Sequence, residues 1–63
     1  MAIEDFLKNE ENQARVSVGN NWLYWDSLNE QWIVLTRRYA QKNNTCLYAG
    51  EDLDKALESL LIL

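Results

Sequence analysis

The spacing of apolar residues changes twice along this chain. Near the start, Ile3, Phe6 and Leu7 recur at helical spacing among Glu4, Asp5 and Lys8. Apolar residues three and four apart share one side of an α-helix, so the pattern predicts a short amphipathic helix over Ala2–Glu11. A helix this short is marginal alone and must dock to persist. The polar run Asn9–Gln13 ends it. The period then drops to two. Arg15, Val16, Ser17 and Val18 alternate, which predicts a short strand closed by the turn cluster Gly19-Asn20-Asn21. Trp22–Asp26 is mostly aromatic and apolar, and Ser27-Leu28-Asn29-Glu30 breaks it. Gln31–Tyr39 holds Trp32, Ile33, Val34, Leu35 and Thr36, the strongest β signal in the chain. The two runs predict a hairpin with a loop of four or five residues. Ala40–Asn44 predicts a second polar turn and Thr45–Ala49 a third main strand. After Gly50 the helical period returns. Leu53, Ala56, Leu57, Leu60 and Leu61 form one stripe within Glu51–Leu63. Glu51, Asp52 and Asp54 fall in its first turn, where acids favour the positive end of the helix dipole.

These elements predict an α+β fold in two layers. A small antiparallel meander of three strands, or four, carries the C-terminal helix on one face. The short N-terminal helix joins that layer or projects to a partner. Sixty-three residues allow a single domain, 1–63. So short a chain buries only about 60% of the surface its unfolded form exposes, and its core is marginal. Cys46 is the lone cysteine, so no intramolecular disulfide can form. Histidine is absent, which excludes zinc sites built on Cys/His clusters. Three tryptophans and three tyrosines, or a partner subunit, must supply the missing packing.

The strands look apolar on both sides. In the central strand Ile33, Leu35, Arg37 and Tyr39 oppose Trp32, Val34, Thr36 and Arg38. Trp22 and Tyr24 oppose Leu23 and Trp25; Thr45, Leu47 and Ala49 oppose Cys46 and Tyr48. An antiparallel sheet with one wet face shows clean alternation instead. The second face is therefore expected to meet the N-terminal helix, another copy of the chain or a partner. Placing Ile33, Leu35 and Leu47 with the helix stripe, Leu57 included, leaves Trp32, Val34, Thr36, Arg38 and Tyr48 open. The candidate partner-binding residues are Trp22, Trp32, Val34, Arg37, Arg38 and Tyr48. Trp, Tyr and Arg are the types enriched at interface hot spots.

Catalytic chemistry has little to work with. The commonest general base is missing with histidine. Cys46 has no basic neighbour to make it a thiolate. The paired carboxylates Glu10/Glu11 and Glu51/Asp52 lie at element ends, and two glycines build no phosphate loop. The chain is expected not to be an enzyme and to need no cofactor and no metal. Its net charge is −4, from ten acids and six bases, which works against non-specific nucleic-acid binding and steers toward a basic partner. No apolar run approaches the roughly 20 residues of a membrane span. Met1–Leu7 contains two acids and does not resemble a targeting segment. With the lone cysteine, this points to the cytoplasm.

Arg37-Arg38-Tyr39 and Lys42 adjoin the strand aromatics. Arginines interleaved with aromatics on a sheet suit nucleic acid, which gives an alternative function. Trp32-Ile33-Val34, then Arg37, a turn, and Leu47–Gly50 leading into an acidic helix with Ala56 form an outline over Trp22–Leu61. That outline resembles the plant AP2 and integrase arm-binding domains, a three-stranded sheet backed by one helix. The resemblance implies DNA contact by Arg37, Arg38 and Lys42. In size, acidity and aromatic content the chain also resembles short acidic proteins of phages and mobile elements, several of which inhibit host defence or host enzymes. That resemblance implies that Glu4, Asp5, Glu10 and Glu11, or Glu51, Asp52, Asp54 and Glu58, meet a basic nucleic-acid-binding surface on a target. The leading expectation is a non-enzymatic, homodimeric protein-binding module of this inhibitor kind.

Overall fold

The computed structural model describes residues 3–37 and 44–62. A short helix α1 (Ile3–Lys8) and a 3-10 turn (Glu10–Asn12) precede four strands: β1 (Val16–Val18), β2 (Asn21–Asp26), β3 (Gln31–Thr36) and β4 (Thr45–Gly50). Helix α2 (Leu53–Leu60) follows. The strands form an antiparallel meander in the order β1-β2-β3-β4, and α2 packs against it. The architecture is the α+β fold expected, in its four-stranded version. Among the described residues no helix is long and apolar enough to cross a membrane.

Turn chemistry fixes the register. Val18 pairs with Asn21 across Gly19-Asn20, and Gly19 has φ 58. A two-residue hairpin loop needs a positive φ of this kind, which glycine adopts at no steric cost. Asp26 pairs with Gln31 across four loop residues. Its carboxylate accepts from the Leu28 and Asn29 amides at 3.1 and 3.4 Å, and from the Asn29 side chain at 2.9 Å. Glu30 leaves the loop with φ 52.

These two turns decide which residues are inside. Val16 lies opposite Leu23, Leu23 opposite Val34, and Trp25 opposite Trp32. Opposed residues share a face. Leu7, Leu23, Trp32, Val34, Ala56 and Leu60 form the buried core, with Val16, Val18, Trp25, Leu47, Tyr48 and Leu53 packed around it. The face assignment drawn from the sequence is therefore reversed. Trp32 and Val34 are 1% and 0% exposed and lie under the helices, with Tyr48 beside them. Ile33 and Leu35 point the other way. Leu47 does reach the core, because a bulge between the Val34 and Leu35 pairs leaves it as the extra residue of β4.

The helices are shorter than their apolar stripes. Asp52 caps α2, accepting from the Asp54 and Lys55 amides at 3.0 and 3.3 Å. The helix therefore starts at Leu53 and not at Glu51. Ala56 and Leu60 are its buried residues, and Leu57, expected in the core, is 38% exposed at the rim. In α1 only Leu7 is buried; Ile3 and Phe6 are exposed. Lys8 pairs with Glu4 at 3.2 Å and lays its ammonium 4.5 Å from the centre of the Trp25 ring. Trp25 in turn meets Trp32 edge-on, at 4.9 Å between ring centres. Asn21 closes the far end of the layer. Its buried side-chain amide donates to the Leu60 carbonyl at 3.0 Å and also to that of Ile62.

Candidate interaction surface

Both described helices lie on one side of the sheet, since Leu7 and the α2 residues Ala56 and Leu60 share a core with Leu23, Trp32 and Val34. The opposite face carries Trp22 and Tyr24 from β2, and Ile33 and Leu35 from β3. Trp22 lies opposite Leu35, and Tyr24 opposite Ile33. None of the four belongs to the core cluster or to the residues packed on it. Ile33 is 8% exposed, and Trp22, Tyr24 and Leu35 are half-buried. No described helix lies above them. The edges of the patch are small: Ser17 beside Trp22, Cys46 beside Leu35, and Ala49 beside Ile33, all exposed.

Charge frames the patch. The Arg37 amide donates to the Asn20 carbonyl at 2.9 Å, so the ladder extends one step beyond Thr36. Parity then puts the exposed Arg37 on the side of Leu35. Arg15 precedes β1 on the side of Ser17. Asp26 ends the same row of β2 at the hairpin tip. The Asn29 side-chain amide holds its carboxyl below the ordinary value; desolvation pushes the other way, and the Asn29 and Leu28 backbone amides add to the lowering.

The site residues chosen from sequence divide accordingly. Trp22 and Arg37 are on the open face. Trp32, Val34 and Tyr48 are on the covered one. Arg38, with Tyr39, Lys42 and the predicted turn up to residue 43, falls outside the described residues. Tyr24, Ile33 and Leu35 were not assigned to this face. The signal that finds them is the alternation of β1, the one strand whose two sides differ plainly. Val16 and Val18 must be the inner pair, and counting through the two turns carries that choice to Leu23 and Val34.

A cleft of ≈ 290 Å³ opens beside α1, lined in part by Lys8, Asn9, Gln13, Arg15, Tyr24 and Trp25. It offers cations, amides and aromatic rings, with no carboxylate among its described lining. Cys46 is exposed, and its thiol donates to the Tyr48 carbonyl at 3.4 Å. Among the described residues no three His, Cys, Asp or Glu side chains stand together as metal ligands would.

No family model, no curated protein and no solved structure matches the chain.

Proposed function

We propose that this protein is a non-enzymatic binding module that recognises a protein partner with the open face of its sheet, in the manner of a small phage-type inhibitor of a host defence or nucleic-acid-processing protein. One observation carries the reading: Trp22, Tyr24, Ile33 and Leu35 form a contiguous apolar face with no described element packed over it. A patch of this kind on a small domain commonly marks an interaction surface. Aromatic and arginine side chains at its centre and rim are what interface hot spots use. Immobilised wild-type protein is expected to retain a defined host protein in near-equal amount, and a Trp22→Thr/Tyr24→Thr variant to lose it. Identical retention by both would remove the face from the binding surface.

One observation favours a second reading. Residues 13–50 hold four bases and two acids, whereas residues 1–12 and 51–63 together hold eight acids and two bases. The acidity of the chain is thus carried by its helical segments. The open face has Arg37 and Arg15 beside Trp22 and Tyr24, a set that suits single-stranded nucleic acid. Labelled single-stranded DNA and RNA at rising salt separate the readings. Nucleic-acid binding would weaken steeply as counterions are released, and the protein-binding reading predicts none at moderate salt.

A further inference from the structure

The sheet has two edges, and they are built differently. Strand β1 is three residues long, with Arg15 immediately before it and the Gly19 turn immediately after. Shortness and a flanking charge are common ways of preventing a strand from pairing with another chain. Strand β4 is six residues long, and Thr45-Cys46-Leu47-Tyr48-Ala49-Gly50 contains no charge and no proline. It has a bulge at Leu47 and, like β1, a flanking charge, Glu51, so length is what sets this edge apart. It pairs with β3 on one side alone, and alternate residues turn their N–H and C=O groups away from β3. Those groups meet no other described strand. Cys46 and Ala49, the small side chains along this edge, are exposed.

We propose that β4 is the seam of a homodimer, pairing antiparallel with β4 of a second copy to make one eight-stranded sheet. Charge selects a second copy for this edge. The helical segments carry eight acids against two bases, so two copies repel where those layers would stack face to face. On the open face, the described charges Arg15 and Arg37 oppose a single acid, Asp26, and suit a partner of the other sign. The six residues of β4 carry no charge, and an antiparallel pairing sets Glu51 and Asp52 of the two copies at opposite ends of the seam, so two copies of a chain with net charge −4 can approach there. An antiparallel strand meeting its own copy about a two-fold axis gives a closed, isologous interface. Both open faces then lie on the same side of the joined sheet, which doubles the surface of the proposed function and leaves it free.

Sedimentation of the purified full chain, alone, tests this. The wild-type protein is expected to sediment at twice the mass of one chain. Cys46→Lys/Ala49→Lys is expected to sediment at the mass of one chain with its circular-dichroism spectrum retained, and Ala49→Pro should do the same. Trp22→Thr/Tyr24→Thr is expected to stay dimeric while losing its protein partner, so failure of the seam and failure of the binding face are told apart. A wild-type chain that remains single at sub-millimolar concentration overturns the proposal. So does a dimer that survives both β4 variants.

Discussion

Asn21 shows how one polar residue can join two elements. It stands in β2 on the covered face, where an apolar side chain is the usual occupant, and it is 5% exposed. The last carbonyls of a helix have no partner within the helix. Asn21 supplies one to Leu60 and Ile62, satisfying its own buried amide in the same contact. Asn21→Ala leaves those carbonyls unpartnered beside the core and should cost about 1–3 kcal/mol in urea unfolding. No loss of stability would mean that the latch is idle. Asp26 acts through charge. Its pKa is lowered in the folded state, so its stabilising contribution is present above the unfolded pKa and is lost as the pH falls through the folded one. Wild type should therefore lose its advantage over Asp26→Asn on acidification below the ordinary aspartate range. Melting curves across that range check it, and a constant gap between the two would contradict it.

At the scale of elements, α2 shows what periodicity could and could not reveal. Its leucine stripe announced a docked helix. The stripe is wider than the contact, however, and a width of five residues does not say which of them bury. The cap at Asp52 and the latch at Asn21 set the helix's length and rotation, so that Leu53, Ala56 and Leu60 face the sheet and Leu57 is left at the rim. Leu60→Ala should cost about 2–5 kcal/mol. Leu57→Ala should cost clearly less, and equal losses in denaturant unfolding would contradict this rotation. The strands were legible in outline for similar reasons: β-branched and aromatic runs ended at turn residues. Their facing was not legible from β2 and β3, because both sides of those strands are apolar. It was encoded in β1 and in two loop lengths. Gly50 belongs to the same local logic. A Cβ there would come within 2.6 Å of the Tyr48 hydroxyl, which accepts from the Asp52 amide at 3.2 Å just before α2 begins.

At the scale of the whole molecule, the two faces of the sheet differ in what covers them. The helical layer covers one face of the sheet with Leu7, Ala56 and Leu60 and carries most of the acid. The other face keeps its aromatics without a described covering layer. The proposed function depends on that difference: Trp32 lies in the core, whereas the proposal assigns binding to Trp22 and Tyr24. Equilibrium unfolding of two variants tests it most directly. Trp22→Thr/Tyr24→Thr removes two cross-strand pairs on an uncovered face and should cost no more than about 2 kcal/mol. Trp32→Ala empties the core and should cost about 3–5 kcal/mol, enough to unfold so small a domain. Should the double variant unfold while Trp32→Ala stays folded, the covered and open faces would be the reverse of those described, and the binding surface would have to be sought on the other side of the sheet.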